Sequence, residues 1–268
     1  MSFILALKLA LVPALIGAVT LAGRRWGPTV AGWLSAFPIV AGPILFFLAL
    51  EHGSAFVARA AVGTLSAVIA ILVFAITYAW AARRFAWPVC LAAAFTAYFC
   101  VIALLSVASA SVWIVAPLTY GGLWIAPRWF PPPVPSASMP PSRGNDIYPR
   151  MIAGAILVYL VTRYSAALGP QLSGLFAMFP VMASVLVAFS HRHSGAEFAV
   201  NLLRGMVLGF YSFATFCLVL ALTLQTLGIA LAFVTSLGCA ALVQAATRVF
   251  VRRKREPPPD PAVQQLRL

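Results

Sequence analysis

The chain has 268 residues, of which 63% are hydrophobic and only 9% are charged, with a mean hydropathy of +0.99. Soluble domains carry about 25% charged residues, so this composition excludes a soluble globular protein and indicates a helical membrane protein. The net charge is +13, but the basic residues lie in ones and twos between apolar runs and in a cluster at 251–256, which is typical of membrane orientation and attraction to anionic lipid headgroups rather than of nucleic-acid binding.

Apolar runs long enough to cross about 30 Å of hydrocarbon recur along the chain. The stretch between Arg84 and Arg128 contains no charge and is too long for a single span, so it is divided at the small polar residues 107–111. The first run has no basic start and is interrupted by Lys8, which favours a retained helix over a signal peptide. The first half therefore has predicted spans near 3–22, 29–50, 55–81, 86–106 and 111–127.

A proline-rich stretch at 128–146 follows, and its prolines predict a solvated linker rather than a helix. Four further spans are predicted near 148–167, 170–190, 197–225 and 228–250. Nine spans put the two termini on opposite sides of the membrane. With the C-terminus in the cytoplasm, only Arg59 and Arg163 of the loop arginines lie outside, so the positive-inside rule favours an outside N-terminus.

Part of the first half recurs in the second half. Residues 27–63, GPTVAGWLSAFPIVAGPILFFLALEHGSAFVARAAVG, align without a gap with residues 169–205, at a constant offset of 142. Phe37-Pro38 matches Phe179-Pro180, and two prolines and four glycines are identical in all. Matches of these residue types are difficult to obtain by chance between apolar segments, which indicates an internal duplication.

The predicted topology makes this duplication an inverted repeat. Five spans separate equivalent helices, and this odd number means that the two units cross the membrane in opposite senses. We predict an all-α polytopic transmembrane bundle of about nine spans, with two inverted four-helix units joined by a linker helix. The units are 1–106 and 148–251, the linker helix and proline-rich loop are 107–147, and a disordered cytoplasmic tail is 252–268. Many secondary transporters have inverted repeats, with a substrate site at the midplane.

The shared prolines, Pro38 and Pro180, fall near the middle of their spans. Proline removes an intrahelical hydrogen bond, and the carbonyls that it frees are tolerated in hydrocarbon only where they are buried in protein or line a wet cavity. Either both helices are broken and face one central site, or both are kinked and pack through small residues. Pro43 has no counterpart in the second copy and is a weaker indication.

Few polar side chains could complete such a site. Glu197, Asn201 and Arg204 are spaced to share one face of the eighth span, and Arg59 is the equivalent of Asn201 in the third span. Ionisable residues within a span are functional candidates, although Glu197 and Arg204 lie close enough to the span end to form an interfacial pair instead. Matching cations near span ends, Lys8 and Arg150, are expected to be anchors.

Enzymatic and metal chemistry find no support in the sequence. The three histidines lie at span ends on opposite faces of the predicted bundle, so we expect no metal site. The four cysteines lie within apolar runs without metal-ligand spacing. Phosphate-binding loops, HExxH and the GxSxG elbow are absent from the sequence, so we expect neither catalytic residues nor a cofactor.

The stretches GWLSAFPIVAGP and GLFAMFPVMASVLVAF resemble a group of uncharacterised bacterial integral membrane proteins. Some of these are similar to a single four-span unit with an early lysine and a Leu/Phe-Pro in the second helix. The present chain looks like two such units fused. The resemblance implies location in the bacterial inner membrane and carries no established activity.

The leading hypothesis is a small secondary transporter or permease-like protein for an unidentified small solute. The absence of a central acid disfavours proton coupling through a midplane carboxylate. The alternative is a structural or accessory membrane subunit that binds partner helices or lipids and transports nothing. The expected partners are the bilayer with its anionic headgroups and the solute, and assembly as a homo-oligomer is left open. Substrate contacts are predicted from Phe37, Pro38, Arg59, Phe179, Pro180, Glu197 and Asn201.

Overall fold

The fold is given by a computed structural model that describes residues 3–107, 111–132, 146–167 and 179–253. These residues form helices and no strand, so the all-α class predicted from the sequence is confirmed. The proline-rich loop, the C-terminal tail and residues 169–178 of the second copy lie outside the described residues. The helices are α1 (Phe3–Trp26), α2 (Pro28–Ser35), α3 (Ala41–His52), α4 (Ser54–Ala81), α5 (Trp87–Val107), α6 (Val112–Trp129), α7 (Ile147–Ala167), α8 (Val181–Thr223) and α9 (Ile229–Arg253).

Several of these helices are long and apolar enough to cross a membrane, which indicates a helical membrane protein. Two further apolar helices in the described ranges, α3 and the first part of α7, are shorter. The number of nine spans stays a prediction, since the second predicted span is divided into two helices and the seventh lies partly outside the described residues. The long apolar helices comprise Leu5–Trp26, Ser54–Ala81, Trp87–Ser106, Val181–Thr223 and Ile229–Arg248.

The second predicted span is interrupted at its proline. α2 ends at Ser35 and α3 begins at Ala41. In between, the Ile39 N–H donates to the Phe37 carbonyl (2.8 Å) and the Gly42 N–H donates to the Pro38 carbonyl (2.9 Å). Proline has no N–H and excludes the preceding residue from helical geometry, so the chain leaves one helix and starts another.

The same pair of bonds occurs at the second proline. The Val181 N–H donates to the Phe179 carbonyl (2.7 Å), and the Ser184 N–H donates to the Pro180 carbonyl (2.9 Å). Each of these four residues lies 142 positions after its counterpart at the first proline. α8 begins directly after Pro180, so a helix starts after the shared proline in both copies.

Two glycines in left-handed backbone conformations also correspond. Gly53 (φ 83°, ψ 166°) separates α3 from α4, and Gly195 (φ 86°, ψ 166°) interrupts α8. A side chain strongly disfavours positive φ, so glycine is needed at both of these non-helical positions. Residues 196–223 of α8 then match the length and position of α4 at the same offset, and α9 begins 142 residues after α5.

The contacts between α1 and α7 give their relative direction. Arg24, at the end of α1, bonds to Asp146, just before α7 begins. Gly154, about two turns into α7, lies against Ile16 of α1. A Cβ built on this glycine would be 2.3 Å from the Ile16 Cδ1. Residue numbers therefore decrease along α1 in the direction in which they increase along α7. The two helices are equivalent at the offset of 142 and run in opposite directions.

The linker helix α6 runs parallel to α4. The Thr119 Oγ1 donates to the Leu65 carbonyl (3.2 Å), and nearer the C-terminal ends the Trp80 Nε1 donates to the Trp129 carbonyl (2.7 Å). Residue numbers therefore increase in the same direction along α4 and α6.

The same linker helix runs antiparallel to residues 196–223 of α8. The Tyr120 and Thr215 hydroxyls are hydrogen bonded (2.8 Å), whereas the Arg204 guanidinium donates to the Pro131 carbonyl beyond the other end of α6. Since α6 is parallel to α4, α4 and this part of α8 run in opposite directions.

Candidate functional site

The first interruption is supported by close backbone packing between α2 and α8. A Cβ added at Gly32 would lie 1.9 Å from the Leu202 carbonyl oxygen, and one at Gly205 would lie 2.1 Å from the Thr29 carbonyl oxygen. Neither position accepts a side chain without movement of the backbone. Small residues at such contacts let membrane helices approach closely, so α2 is fixed on α8 immediately before the break.

A glutamine from α9 binds the last turn of α2. The Gln244 Nε2 donates to the Trp33 carbonyl (2.9 Å), and the Trp33 Nε1 donates to the Thr247 Oγ1 (3.0 Å). Gln244 is 8% exposed, and its buried Oε1 has no hydrogen-bond partner among the described residues. The sequence analysis missed Gln244, although an amide within the apolar run ALVQAA was the available signal.

The start of α8, after Phe179-Pro180, is supported by aromatic rings. Phe179 stacks on Phe95 of α5, with ring centroids 4.9 Å apart, and contacts Tyr98 and Phe99 of the same helix at 6.3 and 6.0 Å. In the described part of the chain, no ring contact joins Phe179 to Phe37. Pro38 and Pro180 are both buried, but the two predicted phenylalanines do not meet.

A buried cluster of charged side chains lies where the end of α1 meets the start of α7. The Asp146 Oδ2 accepts from the Arg150 Nη2 (2.6 Å) and Nε (2.9 Å), and its Oδ1 accepts from the Arg24 Nη2 (2.5 Å). The Arg150 Nη1 also donates to the Ser190 Oγ (3.2 Å) on α8. Asp146 and Arg150 are 4% and 3% exposed, so the pair is removed from solvent and ties three helices together.

This cluster changes the role expected for Arg150 from the sequence. Instead of an anchor that reaches the membrane surface, Arg150 is buried against Asp146. Burial raises the pKa of the Asp146 carboxyl, but the hydrogen bonds and charges of Arg150 and then of Arg24 outweigh it, so that the pKa is held below its usual value. Asp146 therefore stays ionised at neutral pH. No sequence pattern selects Asp146, which lies at the end of the proline-rich stretch.

The polar residues of the eighth predicted span line a cleft of about 360 Å³. Glu197 and Asn201 lie on one side of it, together with Arg204, while Arg83 beyond α4 and Pro131 beyond α6 form other walls. The Arg204 Nη1 donates to the Asn201 Oδ1 (3.4 Å). The structure thus brings two of the predicted site residues together.

Glu197 and Arg204, considered as an interfacial pair, make no direct ion pair, although the charge of Glu197 acts on Arg204. None of the ion pairs within the described residues includes Glu197 or Arg204. Arg59, in contrast, is exposed in the second turn of α4, and about 33 Å of helix separates it from Ala81 at the end next to the cleft. Arg59 is therefore not part of the same cleft as Glu197 and Asn201.

Among the described residues, no group of three or more His, Cys, Asp or Glu side chains is arranged to hold a metal ion. The His191 Nδ1 is hydrogen bonded to the Tyr78 hydroxyl (3.0 Å). This contact joins α4 to the first part of α8.

Comparisons of the chain with protein families, curated proteins and solved structures found no match. The resemblance to bacterial integral membrane proteins therefore stays an expectation, and the function is argued from the geometry of the described residues.

Proposed function

We propose that the protein is a small secondary transporter built from two inverted four-helix units, with its substrate pathway between the two helix interruptions. The observation that carries this proposal is the matched backbone at the two prolines. Phe37-Pro38 and Phe179-Pro180 have the same pair of hydrogen bonds to the residues that follow them. Broken helices at equivalent positions of two repeats are the usual construction of a transporter substrate site.

The helix directions support the inverted arrangement. α1 and α7 are antiparallel, and so are α4 and residues 196–223 of α8, as inverted repeats require. In the bacterial inner membrane, with the N-terminus outside and the C-terminus in the cytoplasm, the charged cluster around Asp146 would lie at the cytoplasmic side.

The distribution of polar groups favours an uncharged or weakly polar solute. Near the interruptions the polar groups are backbone carbonyls, an amide from Gln244 and the Ser184 hydroxyl, which donates to the Pro180 carbonyl (2.7 Å). Carbonyl and amide groups bind a solute through hydrogen bonds and require no opposite charge. Proton coupling through a midplane acid is not part of this proposal.

The charged cluster around Asp146 provides a means of closing one end of the pathway. Its hydrogen bonds join α1, α7 and α8 at a single level. At the offset of 142, the counterparts of Arg24, Asp146 and Ser190 are Ala166, Ile4 and Leu48. The counterpart of Arg150 is Lys8, so the opposite end keeps one cation but has Ile4 in place of the Asp146 carboxylate. Alternating access would require the cluster around Asp146 to separate as one unit rocks against the other.

The proposal is tested with full-length protein in proteoliposomes loaded with sugars, polyols, amino acids and small amides. We expect flux of at least one class, reduced about tenfold or more by Pro38→Ala and by Pro180→Ala because each substitution allows the helix to continue through the break. Pro43→Ala is the matched control, since Pro43 lies within α3 and has no counterpart in the second copy. It should leave flux within about twofold of the unmodified protein, because it is away from the break.

Two outcomes would contradict this proposal, the first by excluding transport and the second by excluding the pathway between the prolines. Folded, monodisperse protein that gives no flux with any solute class would favour the accessory membrane subunit instead. Flux that is unaffected by both Pro38→Ala and Pro180→Ala would place the pathway elsewhere in the protein.

A further inference from the structure

The cleft beyond α4 is lined by charges of both signs that form no direct ion pair among the described residues, although the charge of Glu197 acts on Arg204. Arg83 and Glu197 both line it. Neither takes part in an ion pair with any residue that the structure describes. The Arg83 guanidinium lies over the Trp80 ring, 5.5 Å from its centroid. A cleft of this kind is complementary to a ligand that carries an anionic and a cationic group at a fixed separation.

Aromatic side chains put the cleft at the level of a membrane surface. Trp80 and Trp129, whose indole and carbonyl groups are hydrogen bonded, are both exposed beside it. One helical turn away, the Arg128 guanidinium lies 4.3 Å from the Trp124 ring centroid. Tryptophan and arginine at the ends of apolar helices are typical of the interface between hydrocarbon and water, where lipid headgroups lie.

We propose that this cleft binds the headgroup of a phospholipid that bears a primary amine, of the phosphoethanolamine type. The phosphate would be bound by the guanidinium groups of Arg83 and Arg204 and by the Asn201 amide, and the ammonium group by the Glu197 carboxylate. Guanidinium groups are the side chains best suited to phosphate oxygens. The cleft volume of about 360 Å³ falls within the range of small-molecule sites.

Arg204 has a second role that limits its use in a test. It donates to the Pro131 carbonyl and to Asn201, so its loss would disturb the packing of α6 on α8. Arg83 and Glu197 have no such partners among the described residues. Their substitution is therefore expected to alter binding without affecting the fold.

The test measures lipid binding by native mass spectrometry on full-length protein in detergent. Phosphatidylethanolamine, phosphatidylglycerol and phosphatidylcholine with identical acyl chains are compared. We expect phosphatidylethanolamine to bind about tenfold more tightly than the other two, the effect of one charge-assisted hydrogen bond. Arg83→Gln should weaken the binding of phosphatidylethanolamine and phosphatidylglycerol alike, whereas Glu197→Gln should remove only the preference for phosphatidylethanolamine.

Two matched controls are present in the chain. Arg84 is exposed beside Arg83 but does not line the cleft, and Glu51 is an exposed acid at the end of α3. Arg84→Gln and Glu51→Gln should leave the lipid preference unchanged. Soluble phosphoethanolamine is added as a competitor to separate a lipid headgroup from a free metabolite with the same chemistry.

Three results would overturn the proposal. Equal retention of the three lipids by the unmodified protein would remove the headgroup preference. An effect of Arg84→Gln as large as that of Arg83→Gln would show that only surface charge matters. Displacement of the lipid by soluble phosphoethanolamine at equal concentration would assign the cleft to a soluble ligand and not to the membrane.

Discussion

The helix break at Phe37-Pro38 and the helix start at Phe179-Pro180 have the same backbone hydrogen bonds but different neighbours. The first follows a short helix that is fixed on α8 by glycine contacts and bound by Gln244 of α9. The second is covered by a stack of aromatic rings from α5. A polar clamp supports one break, and an apolar contact supports the other.

The two aligned stretches thus share their backbone geometry but not the side chains that support it. The backbone depends on the Phe-Pro pair and on the glycine at each positive-φ position, and those residues are repeated. The supporting side chains are not repeated. At the offset of 142, Gln244 corresponds to Ile102, and the rings of Phe95, Tyr98 and Phe99 correspond to Leu237, Ala240 and Ala241. We infer that the repeated backbone serves a purpose common to both units, while each unit is held in place by its own contacts.

The charged cluster should give the greatest change in stability, since Asp146 binds two arginines and the residue 142 positions before it is Ile4. Asp146→Ala would leave Arg150 and Arg24 without their carboxylate, and Arg150 is buried. Breaking a buried pair in this way should lower the free energy of unfolding by about 4 kcal/mol. Denaturation of the detergent-solubilised protein measures it. A loss below about 1 kcal/mol would show that the cluster is solvated and does not close the bundle.

The cluster also predicts a pH dependence of stability. Since the pKa of Asp146 is lowered in the folded protein, its stabilising contribution is complete above the unfolded value of about 3.9 and is lost as the pH falls through the folded value. We expect the difference in thermal stability between unmodified protein and Asp146→Asn to be constant from pH 7 to about 5. It should shrink only below about pH 4. A difference that disappears between pH 7 and 5 would contradict this assignment.

The glycine contact beneath the first interruption comes next in size. Gly205→Ala would put a methyl group into the Thr29 carbonyl of α2, and such overpacking against backbone should cost about 3 kcal/mol. Gly238→Ala on α9 is the matched control, since an added Cβ meets no described atom within 4 Å. It should be neutral or slightly stabilising because alanine favours the helix. Equal unfolding midpoints for the two variants would mean that α2 is not fixed on α8.

The aromatic support of the second interruption can be compared directly with the equivalent residue of the first. Both Phe179→Ala and Phe37→Ala remove a half-buried ring, but only Phe179 loses stacked partners. We expect the free energy of unfolding to fall by about 1 kcal/mol more for Phe179→Ala than for Phe37→Ala, the usual contribution of aromatic pairs beyond their burial. Equal losses would mean that the contact with α5 contributes nothing beyond burial.

The smallest expected effect belongs to Gln244→Leu. The substitution removes the hydrogen bond to the Trp33 carbonyl, but it also removes a buried Oε1 that has no described partner. These two changes oppose each other, so we expect a net loss of about 1 kcal/mol. A loss above about 3 kcal/mol in the same unfolding measurement would mean that Gln244 supports more than the end of α2.

Local features of the fold could be predicted from the sequence because their causes are local. The break at Pro38 follows from the missing N–H of proline. The boundary between α3 and α4 at Gly53 requires a residue that adopts positive φ. The contacts around the breaks could not be predicted in this way. Arg24 and Asp146 are 122 residues apart, and Trp33 and Gln244 are 211 apart. Such pairs depend on how the helices pack, which no local pattern specifies.

For the candidate site, too, the residues on one helix could be predicted from the sequence, whereas those contributed by other helices could not. Helical spacing put Glu197, Asn201 and Arg204 on one face, and the structure has all three at one cleft. The residues opposite them, Arg83 and Pro131, come from the ends of other helices. Arg59 was selected by its equivalence to Asn201, but equivalent positions of antiparallel helices lie at opposite ends of the bundle.

The most direct test of the central claim is whether both interruptions adjoin a water-filled pathway. Ile39→Cys and Val181→Cys, at equivalent positions beside the two prolines, are each introduced into a cysteine-free protein in liposomes and treated with a charged thiol reagent. Val234→Cys, exposed on the apolar helix α9, is the lipid-facing control. We expect the thiols at 39 and 181 to react and the thiol at 234 to stay unmodified. If all three stay unmodified, the interruptions are dry and no solute passes between them.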